Sequence, residues 1–402
     1  MSVELNTLTV EPRADNAMHM FPHAITHLTL DRFRNYESLA LTVDCRPVVL
    51  VGSNGAGKTN ILEALSLFSP GRGLRQSSLK EMETDSNSAY APNAGWAISV
   101  QLASQGLTYD MVTGRDKDVV RDTRIIKING ERMRRQSELC QYVSILWLSP
   151  QMDNLFLEGN STRRRFLDRL VYSFDPQHAV RVSEYEHAMR ERSALLNERW
   201  ADGNWLGILE AQMAAHSVAI AIARQQLIDC LTEQMEASQS RFATSVLSVT
   251  GVIEAWLQQG YSALEIEGLF VEKLKDNRVK DAARGRANDG VHKSRFEVIH
   301  KGKNRLAELC STGEQKSLLL SLLIHHAKAR AKACLQPPIL LLDEVVSHLD
   351  VDARKELFDA LIEGGMQAWM TGTDAADFLG ISGFATWVNV KDATAKILSK
   401  HE

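Results

Sequence analysis

The sequence predicts an α/β fold, in which a mixed sheet lobe carries an inserted helical lobe with a short antiparallel helical arm. Three observations predict it. An apolar strand, a glycine-rich loop and an apolar helix follow one another over residues 47–68. A second apolar run, Pro338–Leu342, ends in two acids, as expected of a strand buried on both faces of a parallel sheet. Between them, residues 161–259 have a helical pattern with few breakers.

The first element is the loop Gly52-Ser-Asn-Gly-Ala-Gly-Lys58-Thr59. Its glycines let backbone N–H groups point at phosphate oxygens, and the start of the next helix adds partial positive charge. This order is typical of a nucleotide-binding P-loop, with Lys58 on the β- and γ-phosphates and the Thr59 hydroxyl on Mg²⁺. A glycine-rich turn before an unrelated helix is the alternative. The predicted nucleotide contacts in the loop are Gly52, Ser53, Asn54, Gly55, Ala56, Gly57, Lys58, Thr59 and Asn60.

The second element is the pair Asp343 and Glu344 at the C-terminal end of the apolar run, where open α/β sheets bind ligands. We predict that Asp343 holds the water shell of Mg²⁺ and that Glu344 orients or deprotonates the attacking water. Glu344 and Lys58 are therefore the candidate catalytic residues. The alternative is a core strand that ends in two solvated acids, which the presence of the P-loop disfavours.

The pattern divides the chain into four segments. Residues 1–22 lack periodicity and are predicted to be a mobile tail. Residues 23–150 contain strands, a hairpin turn at Asn129-Gly130 and a short buried strand, Ile145–Leu148, and form an ATPase lobe with the P-loop. Residues 151–334 form the helical lobe, where Asp202-Gly-Asn204 separates two long helices that fold back on each other as an arm or as plain helical packing. Residues 335–402 return to the ATPase lobe.

Composition narrows the class of protein. The 402 residues are 44% hydrophobic with a net charge of −4, so a sizeable core is expected and the chain is not a polycation. The five cysteines are scattered without metal-ligand spacing, which predicts reduced thiols. The first residues do not resemble a secretory leader, and no apolar run reaches the ~20 residues that cross a bilayer. We therefore expect a cytoplasmic protein without a membrane partner.

Basic residues cluster locally. Arg163, Arg164 and Arg165 are adjacent, and Lys301 and Lys303 lie in a second basic stretch. Such clusters can neutralise phosphates of a nucleic acid backbone, although a solvated surface is the simpler interpretation of either one alone. No aromatic platform or zinc motif accompanies them, so any recognition of DNA should be of its backbone and shape.

The third element, Cys310-Ser-Thr-Gly-Glu-Gln-Lys316, precedes the apolar helix Ser317–Ile324. Ser311 or Thr312 can cap that helix and leave N–H groups at its start to face an anion. An ordinary capped amphipathic helix is the alternative. The segment resembles the signature motif of ABC-type ATPases, which implies that Ser311, Thr312 and Gly313 cover the γ-phosphate held by the P-loop of a second subunit. Only a head-to-tail pair then completes either site.

Six motifs together resemble the RecF family of bacterial recombination-repair ATPases, from about residue 25 to 373. They are Phe33-Arg-Asn-Tyr36, Gly57-Lys-Thr-Asn60, Ser149-Pro-Gln-Met-Asp153, Arg163-Arg-Arg-Phe-Leu-Asp168, Gly290-Val-His-Lys293 and Ser311-Thr-Gly-Glu-Gln315. The fifth departs from the Gly-Pro-His-Arg expected in the family. The resemblance implies an ABC-type P-loop ATPase head.

The same resemblance assigns roles to further residues. It implies that Arg34 and Asn35 contact ATP and that Gln151, at a Q-loop position, reaches the metal. Ser347-His-Leu-Asp350 resembles a D-loop. Thr371-Gly-Thr373 lies where many ABC ATPases carry a switch histidine, so a threonine hydroxyl of this segment is expected to replace it.

The function that the resemblance implies is that of an ATP-gated DNA clamp with ATP and Mg²⁺ as cofactors. Such a protein is a weak DNA-dependent ATPase of recombinational repair and replication. ATP pairs two copies on gapped or junction DNA, slow hydrolysis releases them, and a RecR-type mediator helps load RecA on single strands. Two alternatives remain: the nucleotide-binding subunit of a membrane transporter and a P-loop kinase of small molecules. The long helical insert disfavours the first, and the signature segment with Asp343-Glu344 disfavours the second.

Overall fold

The computed structural model describes residues 20–84, 95–116, 123–198, 202–238, 242–334, 336–346 and 349–398. The predicted tail therefore lies almost wholly outside the described residues. The chain divides into two compact units. The first contains the chain up to Arg134, Trp147–Ser149 and the chain from Cys334 onwards, and the second contains Arg135–Leu146 and Pro150–Ala333.

One sheet of the first unit has six antiparallel strands in the order β2-β1-β4-β5-β6-β7. They are β1 (His23–Phe33), β2 (Tyr36–Thr42), β4 (Ala97–Ser104), β5 (Leu107–Asp116), β6 (Thr123–Ile128) and β7 (Glu131–Arg132). The hairpin predicted at Asn129-Gly130 is confirmed, because Ile128 pairs with Glu131. Asn129 and Gly130 have φ values of 50° and 83°, the positive values that a two-residue hairpin turn requires.

The other sheet of the first unit is mostly parallel and has the order β15-β14-β3-β13-β12-β8. Its strands are β3 (Val48–Val51), β8 (Ile145–Leu148), β12 (Ile339–Leu342), β13 (Ala368–Gly372), β14 (Thr386–Lys391) and β15 (Thr394–Ile397). The central strand β3 pairs in parallel with β13 and with β14. All four residues of β12 are buried, as its unbroken apolar run predicts. The helices of this unit are α1 (Lys58–Ser66) and α9 (Val351–Glu363), with a 3₁₀ helix at Ala375–Phe384.

The second unit is mostly helical. Its helices are α2 (Asn160–Tyr172), α3 (Pro176–Leu196), α4 (Gly203–Glu236), α5 (Val252–Gln258), α6 (Ala263–Asp276), α7 (Arg278–Arg284) and α8 (Thr312–Cys334). It also has 3₁₀ helices at Gln136–Gln141, Pro150–Asn154, Lys301–Lys303 and Ala307–Leu309. Asp202 caps α4, accepting from Asn204 N and Trp205 N, so the break predicted there is confirmed.

The helices α3 and α4 run antiparallel. Arg192 pairs with Glu210, and further along Glu184 pairs with His216. Buried apolar residues of both helices form one core with α6, which contributes Phe270 among others. The pair is therefore packed against its own unit along part of its length.

The helical pattern predicted through residues 161–259 is wrong at one place. Ser245–Thr250 forms the strand β9, which pairs with β10 (Arg295–His300), and β10 pairs in turn with β11 (Arg305–Leu306). Burial alternates along β9, the period-two pattern of a strand with one face in the core. The β-branched residues of Ser-Val-Leu-Ser-Val-Thr favour that conformation.

Within the described residues, one helix, α4, is long and apolar enough to cross a membrane. Its most apolar window has a mean hydropathy of 1.5, and 56% of that window is buried inside the protein. Polar residues such as His216 and Ser217 interrupt its apolar sequence, so no unbroken apolar run marks this helix. Its burial is that of a helix in a protein core.

Candidate functional site

The P-loop follows β3 and curls under the start of α1. Gly55 and Gly57 have φ values of 80° and 111°, which favour glycine. A Cβ on Gly57 would lie 2.6 Å from the Tyr36 hydroxyl and 2.8 Å from Asn35 Nδ2, and a Cβ on Gly52 would lie 2.1 Å from the carbonyl oxygen of Val390. Neighbouring residues therefore pack closely against these two glycines on one side of the loop, which leaves the opposite side for a ligand.

The start of α1 has the features of an anion site. Its N-cap is Gly57, and no side chain caps the helix. The first backbone N–H groups of a helix have no partner within the helix. Here Asn60 N and Ile61 N donate to the carbonyl oxygen of Gly57, which leaves the N–H groups of Lys58 and Thr59 for an anion at the positive end of the helix dipole.

Lys58 is buried at 5% exposure. Its Nζ donates to the carbonyl oxygens of Gly52 at 2.7 Å and Ser53 at 2.9 Å. Burial lowers the pKa of the Lys58 ammonium, and the charges of Glu344 and Asp343 oppose that shift. The lysine is thus folded back onto its own loop, with its ammonium held by two backbone carbonyl oxygens.

Asp343 lies at the end of β12 and meets two threonine hydroxyls. Thr59 Oγ1 donates to its two carboxylate oxygens at 2.9 Å and 3.1 Å, and Thr371 Oγ1 donates to Oδ1 at 2.8 Å. Burial raises the pKa of Asp343, although these hydrogen bonds act in the opposite direction. The P-loop threonine and the strand-end acid are therefore in direct contact across 284 positions of the chain.

Glu344 adopts an unusual backbone conformation. Its φ is 54°, a left-handed value that costs a residue other than glycine about 1–3 kcal/mol. Its backbone N–H donates to Thr371 Oγ1 at 2.8 Å. One threonine hydroxyl therefore fixes both acids, since it accepts from Glu344 and donates to Asp343.

A cavity of about 220 Å³ lies against part of this site, although neither Asp343 nor Thr371 lines it. The P-loop residues Asn54, Gly55, Gly57, Lys58, Thr59 and Asn60 line it together with Arg75 and Glu344. The structure thus brings together most of the P-loop and the predicted base around one polar opening.

Arg75 is not among the residues predicted from the sequence. Its Nη1 donates to Asn60 Oδ1 at 2.7 Å and to Glu63 Oε2 at 3.0 Å. Glu63 is fully buried and also pairs with Arg34. In the sequence, Arg75 is only a basic residue in a glycine-rich stretch after α1. Nothing in that stretch indicates that it returns to the cavity beside the P-loop.

Arg34 and Asn35, which the resemblance assigns to ATP, do not line this cavity. Arg34 donates from Nε to Glu63 at 2.9 Å and from Nη1 to the carbonyl oxygen of Glu81 at 2.7 Å. Asn35 accepts from Asn60 Nδ2 at 2.6 Å. Both residues support the P-loop and α1 in this structure.

Thr371 and Thr373 differ sharply. Thr371 is fully buried and engaged with the two acids, whereas Thr373 is exposed. Ser347 and His348 of the predicted D-loop lie outside the described residues. Asp350, at its end, caps α9 by accepting from Ala353 N at 2.8 Å.

The predicted signature segment lies in the second unit. Ser311, Thr312 and Gly313 are exposed at the start of α8, and a Cβ on Gly313 would meet no atom within 4 Å. Ser311 N donates to Glu314 Oε2 at 3.0 Å, and Glu314 also pairs with Lys303. The segment therefore offers an open helix start. Gln151 belongs to the same unit and is exposed on the 3₁₀ helix Pro150–Asn154.

The two basic clusters are less uniform than the sequence suggests. Arg163 pairs with Glu308 at 3.2 Å, Arg164 donates to the carbonyl oxygen of Ser294 at 2.8 Å, and Arg165 is exposed. Of the lysines, Lys303 pairs with Glu314, while Lys301 is exposed. Arg165 and Lys301 therefore have the most solvent-facing charge.

Comparisons with known proteins agree with one another. The model of the RecF/RecN/SMC N-terminal domain family matches residues 24–377. The DNA replication and repair protein RecF of Rhizobium rhizogenes is 42% identical over 373 residues, which cover 92% of this chain and 98% of that protein. RecF of Agrobacterium fabrum is 41% identical over 369 residues, covering 91% of this chain and 96% of that protein.

Solved structures resemble the fold. That of the recombination mediator protein RecF-ATPrS in the RecFOR pathway has a TM-score of 0.80 at 21% identity and covers 94% of this chain and 98% of that one. The Smc head domain of Pyrococcus furiosus has a TM-score of 0.52 at 15% identity, with 94% and 96% covered. The fold is therefore that of an ABC-type ATPase head with a mixed sheet lobe and an inserted helical lobe.

Proposed function

The chain belongs to the RecF family, and we propose that it acts in DNA replication and repair as an ATPase that clamps DNA. The observation that carries the proposal is the contact between Thr59 and Asp343 beside Lys58. It joins a P-loop to a strand-end acid around one polar opening, the arrangement that phosphoryl-transfer sites use. The transporter and kinase alternatives lose their support, since the family accounts for the whole motif set.

ATP binding is proposed to begin with Lys58. When phosphates enter, its ammonium exchanges the carbonyl oxygens of Gly52 and Ser53 for the β- and γ-phosphate oxygens. The other N–H groups of the P-loop take the remaining oxygens, apart from those of Gly52, Ala56 and Asn60, which already donate to backbone carbonyl oxygens. Arg34 and Asn35, the other proposed ATP contacts, hold α1 and the loop in place, and Asn35 is exposed beside Gly57.

The residues beside the P-loop fit Mg²⁺. The Thr59 hydroxyl and the Asp343 carboxylate are oxygen donors, the kind that Mg²⁺ prefers. Among the described residues no group of three or more His, Cys, Asp or Glu side chains could hold a metal, which suits an ion bound mainly through water and phosphate oxygens. We propose Thr59 and Asp343, both in the first unit, as its protein ligands; Gln151 belongs to the second unit, and its predicted role as a metal ligand stays a prediction. Bound there, the ion would neutralise charge on the transferred phosphoryl group.

Hydrolysis is assigned to Glu344. Its side chain lines the cavity, and its backbone is held by Thr371. A carboxylate at this place can orient the attacking water and accept its proton. We propose that Thr371 is the positioning residue in place of a switch histidine, because its hydroxyl contacts both acids while Thr373 faces solvent.

The signature residues Ser311, Thr312 and Gly313 are proposed to receive the γ-phosphate of a second copy. Their exposure at the start of α8 supports this role, since a helix start with room around it can accept an anion. Each head-to-tail pair would then contain two complete sites, and slow hydrolysis would separate the copies.

DNA is the proposed partner of the pair, at gaps or junctions between single and double strands. Arg163, Arg164, Arg165, Lys301 and Lys303 are the candidates for backbone contacts, and Arg165 and Lys301 are exposed. DNA is proposed to stimulate a weak ATPase activity. We further propose a RecR-type partner and a role in loading RecA, in the cytoplasm, as for a family of recombination mediators.

Sedimentation of the wild-type chain with gapped duplex, with and without ATP, tests the proposal. We expect a dimer on DNA only with ATP, and an affinity that falls steeply with salt because bound phosphates release counterions. A chain that stays monomeric with ATP and DNA, or binds DNA equally without ATP, would contradict it.

A further inference from the structure

The second unit contains a cavity of about 330 Å³, lined in part by Arg164 and Arg165 of the basic cluster already considered for DNA. It lies where α2, α3 and α4 meet the segment around His292. Six polar side chains line it: Ser161, Arg164, Arg165, Tyr185, Arg224 and His292. Two acids, Asp168 and Glu186, are also at its wall.

The charge of Asp168 is already neutralised. Its Oδ1 accepts from His178 Nε2 and Arg224 Nε, each at 2.8 Å, and its Oδ2 accepts from Arg224 Nη2 at 2.8 Å. Arg224, 3% exposed, also donates to the carbonyl oxygen of Val291 at 3.0 Å. The hydrogen bonds of this bidentate pair are satisfied within the pair, although both charges still act on Arg164 from a distance.

Glu186 does not supply a counter-charge inside the cavity either. Its side chain is 53% exposed and pairs at 3.6 Å with Arg190, one turn along α3. The two acids at the wall therefore each have their own cationic partner.

Arg164 is a cation at this cavity that forms no ion pair with either acid of the wall. It is half-buried, and Nη1 donates to the carbonyl oxygen of Ser294 at 2.8 Å. Among the described residues no carboxylate lies within ion-pair distance of it. The charges of Asp168 and Glu254 act on it from further away, and Glu254 accepts from Ser294 Oγ at 2.6 Å. Burial lowers the pKa of Arg164, and the charge of Arg224 adds to that shift. A partly desolvated guanidinium without a counter-ion is costly unless an anion joins it.

The remaining wall is neutral at physiological pH. Burial lowers the pKa of His292 to about 4. Its Nε2 lies 3.2 Å from the carbonyl oxygen of Ala287, and Tyr185 Oη lies 2.6 Å from Nδ1. A neutral ring that donates from Nε2 accepts a hydrogen bond from the tyrosine hydroxyl at Nδ1, so this pair adds no charge to the cavity.

The helix that carries Arg164 adds to the positive potential. The first turn of α2 contains no acid, and no side chain caps its N-terminus. Ser161, in that turn, is exposed at the cavity. Basic residues near a helix start are unfavourable on their own and become favourable when an anion lies between them.

We infer that this cavity binds a phosphate group, held by Arg164 and Arg165 with the Ser161 hydroxyl. The forked guanidinium matches tetrahedral phosphate oxygens in pairs. The cavity is much larger than one phosphate, so the group comes attached to something: the end of a nucleic acid strand or a small phosphorylated molecule. The site is separate from the P-loop, whose residues belong to the first unit, and it does not depend on the proposed ATP cycle.

Titration with inorganic phosphate tests the site. The full chain is first saturated with a non-hydrolysable ATP analogue and Mg²⁺ so that the P-loop is occupied, and calorimetry is run at constant ionic strength with chloride as the exchanging anion. We expect one saturable phosphate site. Arg164→Gln should weaken it about tenfold or more, the loss of a charge-assisted hydrogen bond. Arg165→Gln, at an exposed position, should weaken it severalfold without risk to folding.

Arg284→Gln is the matched control, because it removes the same charge from an exposed arginine of the same unit that does not line the cavity. It should bind phosphate like the wild type. Absence of a saturable site, or equal affinities for the wild type and both cavity variants, would overturn the inference.

Two oligonucleotides distinguish the sources of the phosphate. A single strand with a 5′-phosphate is compared with the same strand ending in a hydroxyl. A preference for the phosphorylated end that Arg164→Gln abolishes identifies a strand end as the ligand. Equal binding of the two strands, with the phosphate titration positive, identifies a small phosphorylated molecule.

Discussion

The P-loop side and the signature side of the proposed nucleotide site differ in how much of their geometry comes from internal contacts. On the P-loop side, Lys58, Asp343 and Thr371 are buried. Lys58 donates to carbonyl oxygens of its own loop, and Thr371 donates to Asp343. Glu344 has a strained backbone conformation. On the signature side, Ser311 to Gly313 are exposed, and Gly313 has open space around it. The first side is held by internal hydrogen bonds, and the second is an exposed helix start, which fits the proposal that it meets a partner's phosphate.

Because of this difference, substitutions on the two sides should separate ATP binding by one chain from the pairing of two chains. Changes beside the P-loop should act on ATP affinity or turnover within one chain. Changes at the start of α8 should act only when two chains meet. The following variants test this division from the largest expected effect to the smallest.

Lys58→Ala should have the largest effect, because it removes the cation that exchanges carbonyl oxygens for phosphate. We expect ATP affinity to fall by about 10²-fold or more, in line with the loss of charge-assisted hydrogen bonds, and pairing and turnover to disappear with it. Fluorescent-nucleotide titration measures the affinity, and thermal melting checks the fold. Lys80→Ala, at an exposed lysine of the same unit, is the control. Tight ATP binding by Lys58→Ala would remove the P-loop assignment.

Ser311→Arg should abolish ATP-dependent pairing and turnover while one chain still binds ATP. A bulky cation at the start of α8 fills the space that a partner's nucleotide needs, but the P-loop is untouched. Sedimentation with ATP gives the pairing, with Ser38→Arg, at another exposed serine, as the control. A variant that pairs and turns over normally would refute the head-to-tail model, and one that loses ATP binding would make the segment a support of the fold.

Glu344→Gln should keep ATP binding and pairing but slow hydrolysis by roughly 10²–10³-fold, as for loss of a general base. Phosphate release in single turnovers measures the rate. Asp352→Asn, an exposed acid at the start of α9, controls for the change of charge. Near-normal turnover would show that the base lies elsewhere.

Thr371→Val should have the smallest effect, a loss of turnover of about tenfold, because the backbone N–H of Glu344 and the carboxylate of Asp343 each lose one hydrogen bond of about 0.5–1.5 kcal/mol. ATP affinity should change little. Thr373→Val tests the other hydroxyl and should turn over normally. If Thr373→Val shows the loss and Thr371→Val does not, Thr373 is the residue that replaces the switch histidine.

Much of the fold was predictable from the sequence because its signals are local. The unbroken apolar run of β12, the Asn129-Gly130 turn and the Asp202 cap depend on neighbouring residues, and the structure confirms each. The strand β9 was missed because six residues among long helices carry little periodic signal, and its pairing partner β10 lies some 50 positions later.

The candidate site divides in the same way. The spacing of the P-loop predicts Lys58 and Thr59 without the rest of the chain. Arg75, the Glu63 that holds it and the double contact of Thr371 come from side chains that meet only in three dimensions. Likewise, Arg164 belongs to a basic run in the sequence, yet its surroundings differ from those of Arg163 and Arg165 because α2 turns each side chain to a different neighbour.

The placement of β3 has a consequence for synthesis of the protein. This strand is made within the first 51 residues, but its two neighbours in the sheet are β13 and β14, and Gly52 packs against the carbonyl of Val390. At about 5–20 residues per second, the ribosome needs on the order of 15–70 s to deliver those partners. Until then the strand that leads into the P-loop lacks its neighbours in the sheet, and its apolar residues are open to chaperones or to wrong pairing. A chain that stops before Thr386 would lack β14, a neighbour of β3. We therefore expect the cell to degrade such a chain.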